Sequence, residues 1–328
     1  AKESTVNRIT IQSTANVRID GFSLNDPGGV PLVDQLNHAD TIANNIVLPG
    51  ADEGVELLED KLTTVSNNEI ESAVLDGINV SGSKSAPLND TVQGNEVLNT
   101  SLDGINLFDA NGVVVKGNLV QGSRSVGLTV SQSTDVNAAN NLLVANSGGA
   151  IFSESAFDRL QGNTVEFNQT DGIDVEGDHG DVILKNSVFG NATSGLGNAI
   201  FLSNVSGGEA VKNNSVLQNH SNGIEVFSTS AKGVKVTGNT VENNGGDGGG
   251  LGGTSNITVA ANVLNNNRSV GILLDAKSAG NTVTENTALG NGVFDAEDLS
   301  TGTGTAGTAN LWTRNRFNRD NRGGGLGH

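Results

Sequence analysis

Residues 163–176 read Asn163-Thr-Val-Glu-Phe-Asn168-Gln-Thr-Asp-Gly172-Ile173-Asp174-Val175-Glu176, and this stretch decides the fold. Its frame is an Asn, an aliphatic residue two places on, a second Asn, and Gly-Ile nine residues after the first Asn. The same frame returns at Asn214-Ser-Val…Asn219…Gly223-Ile224 and at Asn262-Val-Leu…Asn267…Gly271-Ile272. The lead Asn recurs at Asn45, Asn68, Asn95, Asn118, Asn141, Asn163, Asn186, Asn214, Asn239, Asn262 and Asn286, always 22 to 28 residues apart. A fixed period of this size marks stacked repeats, each completed by its neighbours.

Within the period, Gly172-Ile173-Asp174-Val175-Glu176 alternates apolar and acidic residues, which is strand periodicity. No part of it sustains a helical 3.6 period. Two or three short strands per turn, punctuated by Asn and Gly, describe an all-β chain. We read a single right-handed parallel β-helix, a solenoid of about twelve coils. Aliphatic residues form rows inside, while Asn and Gly supply left-handed corners and an Asn ladder between coils. Residues 1–300 hold the repeats, and 301–328 form a C-terminal loop and capping segment. Trp312 and Phe317 are expected to cover the last coil, with Arg314, Arg316, Arg319 and Arg322 crowded into the same segment. The N-terminal segment Thr5-Val-Asn-Arg-Ile-Thr-Ile-Gln reads as strand with no capping helix. Open strand edges of this kind invite self-association.

Composition narrows the function classes. There is no Cys and no Tyr, and the 36 acidic residues outnumber 18 basic ones to give a net charge of −18. Cysteine metal sites and disulfides are excluded, and so is a tyrosine proton donor. The negative surface disfavours nucleic acid. No apolar run approaches a membrane span. The chain begins at Ala1 rather than Met, which reads as a removed leader or excision from something longer; a secreted or cell-surface protein is expected.

The residue after each Gly-Ile points to solvent, as does the one two further on. Read down the stack, this face carries Phe152, Glu154, Asp174, Glu176, Phe201, Glu225 and Phe227. Aromatic rings among carboxylates suit sugars, which stack on rings and hydrogen-bond through hydroxyls. Neighbouring coils lie about 4.8 Å apart and alternate residues on a strand about 7 Å. Asp174, Glu176 and Glu154 therefore form a cluster close enough to repel, and one carboxyl of an acid–base pair drawn from it should hold its proton to higher pH. Such a pair can cleave a glycosidic bond by acid–base chemistry. His179, at the strand's end, is a third catalytic candidate as a base. Phe152, Glu154, Phe201, Glu225 and Phe227 are the substrate-binding candidates. Asp174, Glu176 and Asp178 together form a candidate Ca²⁺ site; no organic cofactor is indicated.

The Asn…Gly-Ile pattern over residues 8–300 resembles the pectin-lyase-like superfamily of right-handed β-helices, with carbohydrate-binding and sugar-hydrolase type repeats. The tail Asn310-Leu-Trp-Thr-Arg-Asn-Arg-Phe looks like the terminal coil of secreted bacterial members. Mannuronan C5-epimerases of that superfamily carry Asp-Pro-His-Glu on an outward strand; here Asp174 alone matches, and His179 is displaced. The Asn-Thr-Asp, Asp-Asp and Gly-His-Gly set of polygalacturonases is not found, so no specific enzyme family is matched. The resemblance implies a partner that is an extracellular polysaccharide, bound and processed by lyase or hydrolase chemistry. The alternative is a non-catalytic structural module, a surface-layer, filament or adhesin unit assembling through its strand edges.

Overall fold

The computed structural model describes residues 4–83, 86–230 and 232–327. The chain divides into two compact units, residues 1–164 and 165–328, both built from the same coil. Each coil has three short strands, and within each unit strands pair in parallel with those one coil later. In the first unit, Ile78–Ser81 pairs with Ile105–Phe108, which pairs with Val126–Ser131. In the second, Ile173–Glu176 pairs with Asn198–Ser203, which pairs with Asn222–Phe227 and then Gly249–Gly252. Among the described residues there is no α-helix, only a 3-10 turn at Thr305–Gly307. The expectation of an all-β parallel solenoid holds.

Alternation makes the core. In the second unit Ile173, Ile200 and Ile224 share one inward row, and Val175, Leu202 and Val226 share the next. All six are buried. Burying side chains of this size contributes about 1.5–3 kcal/mol each, so the core gains by repetition rather than by bulk.

The corners divide their work in a way the repeat alone does not reveal. Each lead Asn is buried and serves as a rung. Oδ1 of Asn239 accepts hydrogen bonds from the backbone N–H and the Nδ2 of Asn214, at 2.9 and 3.0 Å. Its own Nδ2 donates to Val211 O at 2.9 Å and to Asn262 Oδ1 at 3.0 Å. A second ladder of the same kind links Asn191, Asn219, Asn244 and Asn267. The left-handed residue is the one before the rung: Asn44, Asn67, Asn213, but also Lys185, Ala261 and Glu285.

The Gly of Gly-Ile is required for a different reason. A Cβ on Gly172 would stand 2.6 Å from Ala199 O, and one on Gly223 would stand 2.5 Å from Gly248 O. Close approach of successive coils, rather than a left-handed corner, demands glycine there.

The repeat runs past residue 300, because Leu311–Thr313 and Arg316–Phe317 add strands to two of the sheets. Trp312 is an inward residue of this last coil, 1% exposed, and its Nε1 donates to Asp298 Oδ2 at 2.8 Å. Phe317 meets it edge to face, with centroids 5.8 Å apart. Two of the arginines act on open carbonyls: Arg322 Nη2 donates to Asp298 O at 2.8 Å and to Ser300 O at 2.6 Å, and Arg319 donates to Asn291 O. They satisfy backbone acceptors that the end of a ladder leaves unpaired.

Candidate active site on the sheet after Gly-Ile

Strand register decides which predicted residues meet. In the second unit, Asp174 pairs with Phe201, and Phe201 with Glu225. They form one outward row, continued by Gly250 and Leu273. The second outward row runs Glu176, Ser203, Phe227 and Gly252. Five of the predicted residues thus lie on one face: Asp174, Glu176, Phe201, Glu225 and Phe227. Phe227 is 45% exposed, Phe201 is half-buried between the two carboxylates, and Gly250 and Gly252 leave the sheet floor bare beside them.

Asp174 is the most perturbed of these groups. Its carboxyl is pushed up to about 7, first by burial and then by the charges of Asp171, Glu176 and Asp178. Its Oδ1 is buried and has no hydrogen-bond partner within the protein. Glu225 is held in place by Asn222 Nδ2, which donates to its Oε2 at 3.1 Å. Asp171, just ahead of Gly172, is raised by burial, with the charge of Glu225 adding to it. Its Oδ1 accepts the Asn198 backbone N–H at 2.6 Å, tying the 191–197 loop to the site.

Asp171 and Asn222 were absent from the sequence reading. Their signal was present, since an Asp or Asn immediately before Gly-Ile recurs as Asp76, Asp103, Asp171 and Asn222. In each case the side chain accepts a backbone N–H of the next coil.

Several expectations require correction. Phe152 does not face solvent: it pairs with Val130 in an inward row and is fully buried. The outward residue of that strand is Ile151, in register with Thr129. Glu154 is exposed but lies beyond Ser153, where the strand ends, in a left-handed corner at φ 53°. Both belong to the first unit and neither joins the row. His179 sits in the turn after its strand, exposed, with Nδ1 3.1 Å from Ser206 Oγ. Asp178 is buried whereas Glu176 is exposed, so the two carboxyls stand in different surroundings. Among the described residues no group of three or more His, Asp or Glu is placed to hold a metal ion.

The corresponding face of the first unit carries a second perturbed acid. Glu53 is pushed to about 7 by burial, then by Glu56. Asn79 lies beside it at 3.4–3.5 Å, and the outward residues in register are Glu56, Asn79 and Asn106. No aromatic ring stands in that row.

The profile of the right handed beta helix region matches residues 32–189, 89–235 and 158–321, and the chain belongs to that family. No curated protein matches it in sequence. Among solved structures, it is similar to the A-module of Azotobacter vinelandii mannuronan C-5 epimerase AlgE6. The TM-score is 0.62 at 14% identity, over 90% of this chain and 89% of that one. It is also similar to the catalytic unit of a GH87 alpha-1,3-glucanase from Streptomyces thermodiastaticus. That match has a TM-score of 0.61 at 14% identity, over 95% of this chain and 64% of the other. The Dettilon tailspike protein follows at 0.51 and 17%, over 89% and 62%. At these identities the likeness is one of fold.

Proposed function

We propose that this protein binds an uncharged polysaccharide along the sheet after Gly-Ile in residues 165–327 and hydrolyses it, with Asp174 as proton donor. The observation that carries the reading is Asp174 itself, a carboxyl held near neutrality beside an aromatic ring and a fixed carboxylate. An acid that keeps its proton to about pH 7 can protonate a glycosidic oxygen as the bond to the anomeric carbon breaks. Its partner is Glu176, on the same strand and face, which takes a proton from the attacking water. Phe201 and Phe227 supply stacking surfaces, and Glu225 accepts sugar hydroxyls. His179 and a bound calcium have no step in this scheme.

Charge supports a neutral substrate. Asp171, Asp174, Glu176 and Glu225 share the face, and no Lys or Arg stands in its two outward rows. An acidic glycan would meet uncompensated repulsion there. The similar folds of a glucanase and an epimerase of mannuronan lend support to a polysaccharide partner in general. Such a partner is met outside the cell, so a secreted or cell-surface location accompanies the reading.

The test is a panel of neutral and acidic glycans, assayed with calcium present or chelated, for both reducing ends and unsaturated-uronate absorbance. Reducing ends from a neutral glycan, abolished in a folded Asp174→Asn variant, are expected. Undiminished activity in that variant removes Asp174 from the site. Silence across the panel shifts the reading to the structural module.

A further inference from the structure

Near its N-terminal end the first unit buries a cluster of four carboxyl groups. Asp34, Asp40, Asp60 and Asp90 are each no more than 1% exposed. Asp34 occupies an apolar row, in register with Ile11 and Leu57. Each carboxyl has one satisfied oxygen. Oδ1 of Asp40, Asp60 and Asp90 accepts the backbone N–H of Val17, Asn37 and Thr63, at 2.6, 2.8 and 2.8 Å, while Asn37 Nδ2 donates to Asp34 Oδ1. The second oxygen of all four has no partner, and neither has Thr63 Oγ1. Four carboxylates cannot hydrogen-bond one another, because each oxygen only accepts.

Among the described residues no cation faces them. The inward residues of the neighbouring strands are Ile11, Ile19, Leu24, Ile42, Val47, Leu57, Val65 and Ile70, all apolar. The charged and titratable side chains on the adjoining corner, His38, Glu59 and Lys61, are exposed, and Arg18 is engaged with Asp20 at 2.7 Å. Ionised carboxylates buried without counter-ions are costly, and the usual resolution is protonation.

We propose that Asp34, Asp60 and Asp90, with Asp40 beside them as a further acceptor, form a proton-locked seam, closed by carboxyl protons that donate to the orphan oxygens and opened by their loss. The first unit is thereby tightened in weak acid and loosened above neutrality. Burial, the largest cause in each case, raises Asp34 to about 6 and Asp60 and Asp90 to about 7, and Asp40 adds to the shift of Asp34. The sign follows: folded values above the unfolded one near 3.9 make folding take up protons. Stability is full below pH 4 and is lost as pH rises through 6 to 7.

The test is hydrogen exchange of the full chain, corrected for intrinsic rates, between pH 5.5 and 8. Each proton released on opening shifts the opening equilibrium about tenfold per pH unit. Protection of residues 32–92 should fall at least about tenfold, and an Asp60→Asn/Asp90→Asn variant, which cannot ionise at those two sites, should flatten that fall. The infrared stretch of protonated carboxyl at pH 6 should weaken in the same variant. If that double variant does not fold, Asp90→Asn alone serves, with the infrared band of the native chain as an independent reading. Flat protection in the native chain, an unchanged fall in the variant, or restored protection at pH 8 by millimolar calcium would each overturn the proposal, the last by making the seam a cation site.

Discussion

Asp174→Asn should cost the protein its activity and make it more stable at alkaline pH. A carboxyl moved from near 3.9 in the unfolded chain to about 7 in the folded one binds its proton more tightly when folded. Its contribution is therefore full below about pH 4 and is withdrawn progressively as pH rises to about 7. The full shift corresponds to about 4 kcal/mol. Asp174 remains partly accessible to water, which lowers the expected figure to about 2 kcal/mol. Asparagine cannot ionise and keeps nearly the same shape. Denaturant unfolding at pH 5 and pH 8, read as the difference between variant and native chain, isolates this group from the others that titrate nearby. The variant should already exceed the native protein by somewhat under ~1 kcal/mol at pH 5 and by about 2 kcal/mol at pH 8, with glycan turnover lost at both. A gain at high pH together with lost activity is the mark of a side chain kept for chemistry at the expense of the fold. A variant no more stable at pH 8 than the native chain would refute the electrostatic reasoning, whatever the activity.

Three further outcomes follow from the site and the corners. Phe227→Ala should weaken glycan binding, read as a raised KM or a lost affinity-gel shift, with a stability change within about 0.5 kcal/mol because the ring is exposed. Asn239→Ala removes a rung and strands the donors of Asn214 and the carbonyl of Val211 in the interior; a loss of about 3 kcal/mol by denaturant unfolding is expected. Ala261→Gly relieves a left-handed alanine at φ 54° and should raise the unfolding midpoint, by up to about 1 kcal/mol, whereas the same change at Ala260, within a strand, should lower it.

The errors in the sequence reading have one physical origin. Phe152 and Glu154 were assigned to the outward face by counting from an apparent Gly-Ile. The coil from Asn141 to Asn163 is 22 residues long, and its Gly149 stands eight rather than nine residues after the Asn. Ala150, not Ile151, takes the inward place of Leu128. In a strand of period two, a one-residue offset turns every side chain to the opposite face. Asp174, Phe201 and Glu225 come from coils where the nine-residue count or its pairing holds, and they share one outward row.

The solenoid, the inward aliphatic rows and the Asn rungs are legible along the chain, because a repeat enforces the same local solution in every coil. The sequence also carried the pairing of acids with aromatic rings on one face, since alternation fixes which side of a strand each residue takes. It took the folded coils to show that Asp178 is buried while Glu176 is exposed, that Gly172 is demanded by the carbonyl of the next coil, and that Asp34 lies inside. Those facts depend on the register between coils and on what stands across the interior. Neither distance is written along the chain, and burial, which turns an ordinary carboxyl into an acid at neutral pH, follows from both.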